Sequence, residues 1–152
     1  MILHKRLILI RHANRDTDLP MLDNGLNDKG KKQVKQLVRF AHDKDLEGAL
    51  FLSSPKKRCV ETITPLAEAL ESTVKIEPNL SEGYSTKNLD AFIEKLKHED
   101  AEVIVACSHG DWIPAFVQRL TGASISIKKA GWCEIELTGN DAFLTWLVQK
   151  YE

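Results

Sequence analysis

The chain has 152 residues, 43% hydrophobic and 28% charged, close to the average for one globular domain with a full core. With 21 basic and 22 acidic residues its formal net charge is −1, which favours neither nucleic-acid nor membrane partners. Met1–Arg6 lacks the pattern of a signal peptide, and no apolar run approaches the ~18 residues of a membrane span. Cys59, Cys107 and Cys133 are odd in number and widely spaced. They read as free buried thiols in a reducing compartment, so a cytoplasmic protein is expected, folded as one domain over residues 1–152.

Leu7-Ile8-Leu9-Ile10 predicts a buried strand. A polar loop over 14–28 contains Pro20 and Gly25 and is long for an α/β connection. A helix follows from about Lys29 to His42, with Val34, Leu37, Val38 and Ala41 on one face and Asn27 or Asp28 as its cap. Ala49–Leu52 is a second buried strand. Ser53-Ser54-Pro55 then opens a helix, with Ser54 as cap and Pro55 at its first position. Cys59, Val60 and Ile63 face inward, and Pro65 is expected to kink or restart that helix.

Val74–Ile76 is a short strand, followed by a loop over 78–87 and a helix whose inner face is Leu89, Phe92, Ile93 and Leu96. Val103–Cys107 is the next strong strand. The helix after it carries Trp112, Phe116 and Leu120 and stops at Gly122. Trp132–Leu137 and Phe143–Val148 flank Thr138-Gly139-Asn140-Asp141, a hairpin signal. Alternating strands and helices predict an α/β fold, a three-layer α/β/α sandwich around a mainly parallel sheet.

Polar residues follow three of these strands. Arg11 and His12 leave the first, Ser53, Ser54 and Arg58 the second, and Ser108 and His109 the strand over 103–107. If the strands are parallel, all of these open on one sheet edge, where α/β proteins bind ligands. Arginine forks and helix N-termini suit a tetrahedral phosphoryl group. A neutral histidine beside it is a base or a nucleophile, and nearby cations favour the neutral form. Alone, Arg58 would read as a solvated neighbour of Lys56 and Lys57, and His12 as a core histidine; together they read as a site.

Arg11-His12-Ala13 resembles the Arg-His-Gly signature of the histidine phosphatase superfamily, the phosphoglycerate mutase-like family. Ser53–Thr62 is similar to its Ser-Ser-Pro…Arg-Ala…Gln-Thr segment, Ser108-His109-Gly110 to its second histidine motif, and Leu26–Gly30 with Gln33 to the start of its first helix. These matches stand in family order up to about residue 115. The resemblance implies a phosphoglycerate mutase-like fold and a phosphatase in which His12 is phosphorylated and Arg11, Arg58 and His109 hold the phosphoryl oxygens. It implies no metal and no cofactor, and the histidines show no close metal-ligand spacing. Ser54 is expected among the substrate-binding residues.

Ala13 stands where the family has glycine, tolerable if its φ stays negative. Glu61 and Cys59, in place of the family's Gln and Ala, read as packing variation. The proton donor is open: Glu82 falls where a family acid would lie, or is an exposed loop carboxylate; Asp111 is a second candidate, or caps the helix after it. Only the 50 residues 59–108 separate Arg58 from His109, leaving little room for a lid. An open site suits a phosphohistidine protein or a small phosphorylated molecule. Mutase-type phosphotransfer, or a catalytically weak phospho-ligand binding module, is the alternative. No cysteine is followed six residues later by arginine, and no phosphate-binding loop is present, which removes two other phosphatase and nucleotidase classes.

Overall fold

In the computed structural model, which describes residues 4–151, the first strand, β1 (His4–Arg11), lies inside the sheet. Leu7, Ile8, Leu9 and Ile10 are all fully buried, which explains why the run is continuous rather than alternating. Leu7 and Leu9 face one side and Ile8 and Ile10 the other, the two-residue period of a strand. Each such side chain contributes roughly 1.5–3 kcal/mol by leaving water.

The remaining elements are α1 (Asp28–Ala41), β2 (Leu50–Ser53), α2 (Lys57–Ala69), β3 (Val74–Ile76), a 3-10 turn (Pro78–Leu80), α3 (Thr86–His98), β4 (Val103–Ser108), α4 (Trp112–Thr121), β5 (Trp132–Thr138) and β6 (Asp141–Val148). They form one six-stranded sheet in the order β3-β2-β4-β1-β5-β6. The four strands from β3 to β1 are mutually parallel, whereas β5 and β6 add an antiparallel hairpin. The sheet is therefore mixed, parallel only over the four strands that include those carrying the predicted site. α1 and α2 cover one face through Leu37, Ala41, Cys59, Ile63 and Leu66. α3 and α4 cover the other through Leu89, Phe92, Leu96, Ile113 and Phe116, giving the expected α/β/α layering.

Several predicted details resolve differently. Asn27, not Asp28, caps α1, accepting from Gly30 N at 2.9 Å. α2 begins at Lys57 rather than Pro55, and Ser54 does not cap it. Instead the Asp23 carboxylate reaches across from the 14–27 loop and accepts from Lys57 N at 2.9 Å. α2 also runs through Pro65 without restarting. Buried Ile63, Leu66 and Ala67 on both sides of the proline hold the helix on the sheet against the roughly 3 kcal/mol that such a proline costs. All three cysteines are free and buried. No helix among the described residues is long and apolar enough to cross a membrane.

Gly30 marks the tightest contact that positions the loop after β1. A Cβ there would lie 2.0 Å from the backbone oxygen of Asn14. Gly30→Ala normally gains about 1 kcal/mol in a helix. Here overpacking against backbone outweighs that, and a net loss of roughly 1–3 kcal/mol is expected in urea unfolding; a more stable variant contradicts the contact.

Candidate active site

The parallel register brings the three predicted strand ends together. Arg11 pairs with Ser108 and Ser53 with Cys107. Past the strands the ladder continues, with His12 N donating to Ser108 O and Ser54 N to Cys107 O, each at 3.0 Å. His12 is 6% exposed. Its Nδ1 lies 2.8 Å from Ala13 O. A carbonyl only accepts, so Nδ1 carries the hydrogen and Nε2 keeps its lone pair. Nε2 has no hydrogen-bond partner among the described residues. Burial pushes the His12 pKa down to about 4; the bond to Ala13 O works against this, and the charges of Arg58, His109 and Arg11 add to it. His12 is thus a neutral imidazole at physiological pH.

Ala13 avoids the left-handed region, so its methyl group is tolerated. Its N–H donates to Thr62 Oγ1 at 2.8 Å, and that hydroxyl donates to Arg58 O at 2.7 Å. One threonine on α2 therefore ties the His12 turn to the turn that carries Arg58. Arg58 is 4% exposed, and its Nη2 lies 2.8 Å from Glu82 Oε2. The cluster over 56–58 is thus split, with Arg58 turned inward.

The His109 ring stands 5.5 Å from that of His12, inclined at 62°. Its Nε2 is paired with Ser54 Oγ at 2.8 Å, which leaves Nδ1 as the free nitrogen, 3.9 Å from Glu82 Oε2. Arg11 lies against the backbone of Gly110, where a Cβ would come within 2.7 Å of Arg11 Cζ, and Arg11 Nη1 donates to Ile127 O at 2.8 Å. Three buried nitrogens, Arg11 Nε, Arg58 Nε and His109 Nδ1, have no hydrogen-bond partner among the described residues. Leaving a buried donor unmatched costs roughly 1–3 kcal/mol, so the two guanidinium N–H groups, joined by His109 Nδ1 when the Ser54 hydroxyl donates to Nε2, point to an anionic ligand as the acceptor.

Glu82 lies beside these groups although it is half-exposed. Burial raises its pKa, but the hydrogen bond and charge of Arg58, with His109 and Lys56, outweigh this and hold it below the ordinary carboxylate range. Its loop is tied to β4 and α4. Ser108 Oγ donates to Leu80 O at 2.6 Å, Trp112 Nε1 to Asn79 O at 2.7 Å, and Gly83 N to Asp111 Oδ2 at 2.9 Å. Asp111 makes no side-chain capping bond to α4; it anchors the Glu82 loop instead.

Residues 7–87 match the family model of the histidine phosphatase superfamily (branch 1). The chain belongs to the histidine phosphatase superfamily. Its fold is similar to that of the protein histidine phosphatase SixA, solved with tungstate, at a TM-score of 0.84, with 17% identity, over 95% of this chain and 96% of that one. It is also similar to a phosphoserine phosphatase mutant from Entamoeba histolytica, solved with phosphoserine, at a TM-score of 0.78, with 17% identity and the same coverage. A 69-residue stretch is 32% identical to the transcription factor tau 55 kDa subunit of Saccharomyces cerevisiae. That stretch is 45% of this chain but only 15% of the yeast protein.

Within this family framework, the histidine and arginine positions read from sequence converge, and Glu82 joins them. Ser54 joins the cluster through His109, its Oγ lying 2.8 Å from His109 Nε2. Glu61 is more than packing, since it accepts from Leu26 N at 2.8 Å and closes the 14–27 loop onto α2. Cys59 is likewise more than packing. Its Sγ lies 3.6 Å from His109 Nε2, and it is the more acidic of the paired thiols Cys59 and Cys107: burial opposes its thiolate, but Cys107, His109 and Arg58 outweigh that. At the α2 N-terminus the Lys57 N–H is already taken by Asp23. Thr62, Asp23 and Gly110 were not assigned these roles from sequence. Their signal is weak, because each acts across a contact distant in the chain.

Gly110→Ala would push against the end of a flexible arginine, not against backbone. Stability is expected to stay within about 1 kcal/mol, while orthophosphate binding measured by calorimetry weakens roughly tenfold, about 1.4 kcal/mol. Unchanged binding would show that the position of Arg11 does not matter.

Proposed function

We propose that the chain acts as a single-domain, metal-independent phosphatase that hydrolyses a phosphomonoester or phosphohistidine through a phosphohistidine intermediate on His12. The observation that carries this reading is a neutral His12 with a free Nε2 lone pair beside three unmatched buried nitrogens. The oxyanion found with the similarly folded SixA is tetrahedral, as a phosphoryl group is.

Nε2 attacks phosphorus in line, and the bond to the leaving oxygen or nitrogen breaks. Arg11, Arg58 and His109 take the charge that gathers on the other phosphoryl oxygens. Glu82 gives the leaving atom its proton. The Arg58 partnership opposes that role in the free protein, but a phosphoryl dianion competes for Arg58 and places negative charge beside the carboxylate. Both effects raise the Glu82 pKa. Water then attacks the phosphoenzyme, Glu82 takes its proton, and phosphate leaves with the His12 lone pair restored. Phosphohistidine has the better leaving group and asks less of Glu82. Hydrolysis is favoured over mutase-type transfer because the short Glu82 loop gives the phosphoenzyme little shielding from water. The three buried free thiols suit a cytoplasmic setting.

His12→Ala should lower aryl phosphate hydrolysis by at least about 10³-fold, and a chelator should leave the wild type unaffected. Full activity in the variant removes the nucleophile assignment. Glu82→Gln should slow an aryl or alkyl phosphate more than a phosphohistidine peptide; equal slowing argues against a proton-donor role. The pH profile carries a further test. Protonation of Nε2 abolishes attack, so activity falls as pH drops through the His12 pKa. With that value near 4, kcat/KM corrected for substrate ionisation should hold through pH 6 to 5. An acid limb near the ordinary histidine value of about 6.5 would contradict the depressed pKa.

A further inference from the structure

Arg11 faces a second cavity as well. This cavity measures about 400 Å³ and is lined by Arg11, Asn14, Lys29, Lys128, Lys129 and Gln149 among others, with no carboxylate among the described residues of its wall. Lys29 comes from α1, Lys128 and Lys129 from the turn before β5, and Gln149 from the segment after β6. The wall is built, not loose. Gln149 Oε1 accepts from Lys128 N and Gln149 Nε2 donates to Ser126 O, each at 2.8 Å. Ala130, in a left-handed conformation at φ 63, donates its N–H to the carbonyls of Arg11 and His12 at 3.0 and 3.2 Å. The lysine turn is therefore bonded directly to the backbone of the nucleophile.

Lys29, Lys128 and Lys129 form no ion pair with an acidic residue among the described ones. Lys129 is half-buried, and its pKa is lowered by burial and then by the cations Arg11, Lys29 and Arg15. The carboxylate that acts on Arg11 is Asp111, one oxygen of which already accepts from Gly83 N. A chain with net charge −1 thus gathers mutually repelling cations around one cavity, and Arg11 there has a buried Nε without a partner among the described residues.

We propose that this cavity is an accessory anion subsite, which takes a second negative group of the phosphorylated substrate while Arg11 is shared between that group and the phosphoryl group. This rests on the reading of His12 as the phosphoryl site. The preferred substrate then carries a carboxylate or phosphate close to the phosphoryl group that is transferred. Such a group can come from a small organic phosphate or from an acidic side chain beside a phosphorylated residue.

The test compares matched pairs: an aryl phosphate with and without a carboxylate arm, and a phosphohistidine peptide flanked by Asp or by Asn. Wild type should prefer the acidic member of at least one pair about tenfold in kcat/KM, mainly through KM, and the pair that shows it identifies the source. Lys29→Gln with Lys129→Gln should cut that preference to about twofold or less. Equal effects on both members would overturn the subsite, since they would report only general attraction. A turnover-free measurement separates this from failure of the phosphatase reading. His12→Ala protein is titrated calorimetrically with pyrophosphate and orthophosphate, with and without the lysine substitutions. Tighter pyrophosphate binding that the substitutions abolish supports the subsite even if no substrate is hydrolysed. Equal binding of the two anions, or an advantage that survives the substitutions, overturns it.

Discussion

The parallel pairing of β4 with β1 on one side and β2 on the other is the constraint from which the site follows. Those contacts fix three strand ends to within one residue of register, and the ladder continues past them through His12 N and Ser54 N. A one-residue slip in any of the three strands would turn its apolar side chains to the opposite face. With Leu7, Ile8, Leu9 and Ile10 all buried, the cores on both sides resist such a slip. Packing energy far from the chemistry thus sets the separation of His12 from His109.

The electrostatic character of the centre follows from that placement. Cations crowd an imidazole that is itself cut off from water, and each of these influences favours the uncharged ring. The same cations are what a phosphoryl group needs. In the proposed reaction, burial and these charges together keep His12 neutral, and the same charges would bind the phosphoryl oxygens, so no second base is required beside His12. The buried thiols add a polar contact behind His109, where the family pattern has alanine.

The fold and the centre of the site were legible to different depths. β1 and β4 announced themselves through uninterrupted apolar runs, and Arg11, His12, Ser108 and His109 were readable because polar groups directly after buried strands lack a packing reason. Arg58 became readable only with them. The hairpin of β5 and β6 was visible from its turn, but not that it would set an antiparallel pair beside β1. Features made by side chains reaching across the chain were not visible. Asp23 accepts from the first N–H of α2, Ser54 Oγ reaches His109, and Thr62 bridges two turns. Lys29 and Lys129 lie a hundred residues apart in sequence and meet only because the turn before β5 bonds back onto β1. Local propensity carries no information about such meetings.

The loop that bears Glu82 is anchored at Leu80, Asn79 and Gly83 by Ser108 of β4, Trp112 of α4 and Asp111 just before α4. Enzymes that close a flap over their substrate can spend binding energy on assembling the centre, and so reject poor substrates after capture. A rim tethered in this way gives up that second checkpoint. Discrimination then falls on the first collision, where the shape and charge of the incoming molecule must already match a surface that does not adapt to it.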